Sequence, residues 1–85
     1  MKVTVLYFAA LRERVGRARE EFELPPGVDT VDALRAWLVT RGEPWAAAFE
    51  GTKQVRAAVD QAMVHGDARL HDEAEVSFFP PVTGG

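Results

Sequence analysis

The chain has 85 residues, no cysteine and a formal net charge of −3, with a pI near 5.3. That length holds one domain on a single core, and the absence of cysteine excludes disulfides, a thiolate nucleophile and thiolate metal ligands, which points to a reducing cytoplasm. The acidic balance gives no field for phosphate backbones, so no nucleic-acid partner is expected, and no membrane role either, since no apolar run nears the roughly 20 residues that span a bilayer.

Lys2 to Phe8 alternates, with Val3, Val5 and Tyr7 on one face and Lys2, Thr4, Leu6 and Phe8 on the other, which predicts a first strand. Ala9 to Val15 has helix-forming composition and stops at Gly16, as a short helix or wide turn does. Arg12, Arg14, Arg17 and Arg19 are interleaved with Glu13, Glu20 and Glu21 and lack aromatic company, so they read as a solvated turn. Glu21 to Leu24 alternates again as a second strand with a charged outer face, ended by Pro25-Pro26-Gly27. Thr30 suits an N-cap and Asp32 the positive end of a helix. Val31, Leu34, Trp37 and Leu38 then share one helical face as far as Gly42.

After Pro44, Trp45 to Phe49 reads as a further helical turn whose tryptophan covers the end of the core, followed by the loop Glu50-Gly51-Thr52-Lys53. Val55, Ala57 and Val59 mark a third strand, which Ala62-Met63-Val64 is expected to continue past a turn or bulge at Asp60-Gln61. Gly66-Asp67 is another turn, Arg69-Leu70 a very short strand, and Glu75 to Phe79 the last strand, with Val76 and Phe78 inward. This order predicts an α+β domain in a ββαββ arrangement: a mixed sheet of four to five strands with one main helix across one face. The first and last strands then lie side by side and parallel at the centre, which is the β-grasp, or ubiquitin-like, fold. Residues 1–79 form the domain, and 80–85 a flexible, extended C-terminal tail.

On the outer face, both central strands change from polar to aromatic at the same end, through Phe8 and Phe79. Parallel pairing makes these rings neighbours on a polar surface beside the start of the tail, as a docking site requires; the alternative is that a loop or the Trp45 segment covers them. The tail, Pro80-Pro81-Val82-Thr83-Gly84-Gly85, carries two prolines that exclude helix and two glycines that pass where no Cβ fits. Such a tip can be threaded into another protein's active site. His65 and His71 stand near Asp67 and Asp72 in no recognised zinc or iron spacing. Ser77 is the single serine and has no triad context, and no Gly-rich loop follows a strand to hold phosphate. Neither a resident metal nor a bound cofactor is expected.

The ending Val76-Ser77-Phe78-Phe79-Pro80-Pro81-Val82-Thr83-Gly84-Gly85 resembles that of the small, sulfur-carrying subunit of molybdopterin synthase. The opening Val3 to Glu13, the helix start Thr30 to Leu34 and the stretch Ala57 to Gln61 resemble the same family, so the similarity covers essentially the whole chain. Thiamin-type sulfur carriers and ubiquitin-like modifiers share the terminal Gly-Gly. The resemblance implies that an E1-like partner adenylates the Gly85 carboxyl with ATP, and that a sulfur donor displaces AMP to leave a thiocarboxylate. The tail then delivers sulfur inside the large synthase subunit to a pterin precursor, two charged tails serving one dithiolene. It further implies that Phe8, Phe79 and Met63 form the docking surface with Arg12 at its rim, that Pro81, Val82, Thr83 and Gly84 are gripped in a channel, and that Lys53 occupies a position where the family often has lysine. Other readings stay open: a protein modifier joined to lysines through Gly85, a plain interaction domain, and, as a variant of the carrier, a thiamin-pathway sulfur carrier. In the isolated chain the Phe8 and Phe79 surface can also pair weakly with a second copy.

Overall fold

The computed structural model describes residues 1–50 and 55–80. Five strands, β1 (Lys2–Tyr7), β2 (Arg19–Glu23), β3 (Arg56–Val59), β4 (Ala62–Val64) and β5 (Ala74–Phe79), alternate with three helices, α1 (Ala9–Val15), α2 (Val31–Thr40) and α3 (Trp45–Glu50). The strands form one sheet in the order β2-β1-β5-β3-β4. At its centre β1 and β5 run parallel, Val5 beside Val76 and Tyr7 beside Phe78, while every other pairing is antiparallel. Two parallel neighbours need a crossover between them, and α2 lies in that connection. This is the expected β-grasp fold, and no helix among the described residues is long and apolar enough to cross a membrane.

The alternation in β1 and β5 decides which face is buried. Val3, Val5 and Tyr7 join Ala74, Val76 and Phe78 under the helices, against Leu11 and Val15 of α1, Leu34 and Leu38 of α2, and Ala48 and Phe49 of α3. Phe49 sets its ring edge-on between Tyr7, at 6.4 Å, and Phe78, at 5.2 Å, an arrangement that aromatic quadrupoles favour.

Helix α2 has a partner for each of its first amides. The Thr30 hydroxyl accepts from Ala33 N at 3.1 Å, its carbonyl from Leu34 N, and Ala68 and Gly66 accept from Val31 N and Asp32 N. The Thr30 cap read from sequence is therefore only half of the joint. The other half is the loop between β4 and β5, which is also where Arg69 forms a single bridge to Thr30 in place of the expected short strand.

Trp45 does cover the end of the core. Its indole N–H donates to the Tyr7 hydroxyl (3.2 Å) and to Glu20 Oε1 (2.9 Å), and Tyr7 donates to the same carboxylate oxygen at 2.9 Å. Burial pushes the Tyr7 phenol up from its ordinary range, and the Glu20 carboxylate adds to the shift. Arg17 closes the group on Glu20 Oε2 at 2.6 Å. The arginines are solvated as expected but do not share one turn: Arg12 and Arg14 are helical, Arg17 braces Glu20, and Arg19 already belongs to β2. Salt partners Glu20 and Glu21 provide the reason, because pairing the positive and negative residues lets the strand start two residues earlier than its hydrophobic alternation indicates.

A second correction concerns Ala62 to Val64. They do not continue β3 but fold back on it, Val64 beside Ala57 and Ala62 beside Val59. Asp60 and Gln61 make the reversal with φ of 49° and 71°, the left-handed pair that a two-residue hairpin turn needs. Asp60 can hold such angles because its side chain and backbone are both tied down. Its amide donates to Glu75 O at 2.8 Å, its Oδ1 accepts from Glu75 N at 3.0 Å, and its Oδ2 meets His71 Nε2 at 2.5 Å.

The hydrogen bond to Asp60, then the one to the Asp72 carbonyl, raises the His71 pKa; the Glu75 amide, followed by His71, lowers that of Asp60. A raised histidine pKa contributes stability that is complete below the unfolded value, about 6.5, and is lost as pH rises through the folded one. The depressed Asp60 contributes stability above its unfolded value of about 3.9 that is lost as pH falls through the folded one. NMR titration should place the His71 midpoint above that of a free imidazole, and Asp60→Asn should bring it back down; a midpoint indifferent to the substitution would show that the pair does not hold in solution.

Candidate functional site

Opposite the helices, the sheet presents a bare face. Its last row is made where β1 ends: Phe8 is extended, its amide donates to Phe78 O at 3.2 Å, and so the parallel ladder runs one residue past the strand. Ala9 then turns the chain with a φ of 51°. That is a left-handed angle which costs a residue with a Cβ about 1 kcal/mol. The turn leaves Phe8 standing out of the sheet, stacked on Phe79 with ring centroids 4.7 Å apart and planes 13° from parallel. Phe8 remains 40% exposed, so neither a described loop nor Trp45, which sits on the helix side, covers it.

The register gives the rest of the face. One row crosses the sheet through Leu6, Ser77, Ala58 and Met63, and the next through Phe79 and Arg56. Ser77 and Ala58 are small and buried, at 5% and 3% exposure, while Met63 is 58% exposed. The floor of the face is therefore low in the middle and apolar at both sides. Among the described residues, Met1, Phe8 and Met63 are the exposed large hydrophobics; two of the three belong to this surface.

Of the residues predicted from sequence, the structure brings Phe8 and Phe79 into contact. It places Met63 on the same face, two strands away, and Arg12, exposed, on α1. Pro80, half-buried, follows Phe79. Pro81, Val82, Thr83, Gly84, Gly85 and Lys53 lie outside the described residues. Sequence reasoning placed Leu6 on this outer face but did not single out Ala58 or Arg56 as members of it. The period-two pattern carried the signal, but using it required the β3–β4 hairpin, whose Asp60-Gln61 turn lacks the glycine that usually announces one. No group of three or more His, Asp or Glu side chains converges to hold a metal among the described residues. His71 is engaged by Asp60 instead.

A stacked, partly exposed ring pair thus stands at the end of the last strand, and the chain matches one family along most of its length. The model of the ThiS family matches residues 5–85. The chain belongs to the ThiS family. This ThiS-family chain is 45% identical over 83 residues to the molybdopterin synthase sulfur carrier subunit of Escherichia coli K12, an alignment covering 98% of the chain and 99% of that protein. Among solved structures, SAMP1 from Haloferax volcanii shares the ThiS-family chain's fold with a TM-score of 0.77 at 20% identity, covering all of both chains. A complex of subunits 1 and 2 of the molybdopterin-converting factor from Helicobacter pylori contains a chain of the same fold, with a TM-score of 0.66 at 23% identity and full coverage of both.

Proposed function

We propose that this chain is the sulfur-carrier subunit of molybdopterin synthase. The observation that carries the reading is the identity with the E. coli carrier subunit over nearly all of both chains, joined to a stacked Phe8–Phe79 pair on the strand that leads to the Gly-Gly end. Gly85 is the residue that changes chemically. A carboxylate is a poor electrophile, so an adenylating partner first makes its oxygen attack the α-phosphorus of ATP and release pyrophosphate. A sulfur nucleophile then takes the acyl carbon and AMP leaves, which yields the glycyl thiocarboxylate. In the large subunit this sulfur displaces a carbon-bound oxygen of the pterin precursor to give a thioester, and water hydrolyses that thioester, leaving the sulfur on the pterin and restoring the Gly85 carboxylate. Gly84 permits close approach at the reacting carbonyl, Pro81, Val82 and Thr83 are held along the entry channel, and the Phe8, Phe79, Met63 and Arg12 surface docks the body. Supply of ATP and the sulfur donor rests with partners, which leaves the carrier without turnover of its own.

Intact mass spectrometry of the protein recovered from its native cells tests this. The expected result is a species in which one terminal oxygen has been replaced by sulfur and which disappears on alkylation of the thiocarboxylate. A chain found only unmodified, or only joined to lysines of other proteins, would overturn the reading in favour of a binding module or a modifier.

A further inference from the structure

Arg56 follows from the register and not from the family pattern. It is the neighbour of Phe79 across β3 and β5, is exposed, and its guanidinium has no ion pair or hydrogen bond among the described residues. Most other arginines are engaged: Arg17 with Glu20, Arg19 with Glu21, Arg35 with Asp32 and Arg69 with Asp29, and Arg41 over the rings of Phe22, Trp37 and Trp45. Beside Arg56 the surface dips into a shallow depression that it lines together with Met63, Val64 and His65. Arg56 gives the depression a cationic wall beside the apolar Met63 and Val64, and Arg56 is itself the cross-strand neighbour of Phe79.

We propose that this notch receives a carboxylate side chain of the protein that docks on the Phe8–Phe79 pair, a proposal that rests on the docking reading above. The physical reason is desolvation. A partner covering the aromatic rings also strips water from the guanidinium next to them, and a cation buried at an interface without a counter-charge opposes association. The planar guanidinium meets a carboxylate with two parallel hydrogen bonds. With a net charge of −3 on the chain, an acidic partner surface is repelled over most of the molecule and accepted at Arg56 beside Phe79, so Arg56 selects register as well as affinity.

The test is titration of the full chain into the large synthase subunit from the same source at low and high salt. Arg56→Leu should weaken binding about 10-fold at low salt, and Arg56→Glu about 100-fold, with the difference from the unaltered chain shrinking as salt rises. Reversal of one carboxylate on the large subunit to arginine should restore binding to Arg56→Glu and to no other variant. Binding of Arg56→Glu within twofold of the unaltered chain would overturn the proposal while leaving the carrier reading intact. Failure of the unaltered chain to bind the large subunit would overturn both. Thermal melting of each variant checks the fold, and Arg56→Leu, which adds no charge, carries the comparison should the reversal lower the melting temperature.

Discussion

Deletion of Gly85 is expected to abolish sulfur transfer while the thermal melt stays superimposable on that of the intact chain. The two halves of this expectation come from different parts of the molecule. Among the described residues the last core residue is Phe78 and the last strand ends at Phe79, so the described core is made without Gly85. The chemistry, by contrast, is confined to a single carboxyl group. Without Gly85 the terminal carboxylate belongs to Gly84 and falls one residue, roughly 3.5 Å, short of the reacting atoms. Catalysis depends on holding reacting atoms within a fraction of that distance, and a misplacement of 1 Å can already cost about 100-fold. Incubation of the truncated chain with the adenylating enzyme, ATP and a sulfur donor, followed by intact mass measurement, should show no thiocarboxylate. Binding of the truncated chain to the large subunit, measured separately, should persist through the Phe8–Phe79 surface. Sulfur transfer by the truncated chain would sink the carrier reading, and loss of the melt would show that the tail contributes to the fold.

The parts of the fold that were legible in the sequence are those where one face is buried and the other is not. Val3, Val5 and Tyr7 alternate because β1 separates helices from solvent, and the same is true of Val76 and Phe78 in β5; these two runs and one amphipathic helix suffice for the topology. What escaped is held by longer-range polar contacts. Arg19 belongs to β2 because Lys2 and Arg19 meet Glu21 and Arg17 meets Glu20, and no window of hydrophobicity reports an ion pair. Asp60 and Gln61 turn the β3–β4 hairpin with the help of Glu75 and His71, which lie 10 or more residues along the chain. The site follows the same division. Phe8 and Phe79 could be paired from the strand pattern once the strands were taken as parallel neighbours, whereas Arg56 and Ala58 needed the register of β3, and Met63 needed the hairpin that puts β4 beside it.

Replacing Phe79 by alanine should weaken docking on the large subunit by about 30-fold or more, the loss of about 2 kcal/mol or more that marks an aromatic anchor at the centre of an interface, with a smaller stability cost of about 1 kcal/mol, the worth of a stacked aromatic pair. The adjacent Phe78→Ala should do the opposite: Phe78 is 1% exposed and packs edge-on against Phe49, so its truncation opens a cavity costing about 3–5 kcal/mol, and the affinity of whatever fraction remains folded should stay near that of the intact chain. The two residues are neighbours in β5, and the strand's period of two is the only thing that assigns one to the core and the other to the partner. Phe8→Ala should resemble Phe79→Ala, and the double variant should cost less than the two single losses combined, because each ring is the other's stacking partner. Urea denaturation and titration with the large subunit separate the two effects. Equal losses of stability for Phe78→Ala and Phe79→Ala would mean that the outer rings serve the fold, and the docking assignment would then fall on Met63 and the arginines alone.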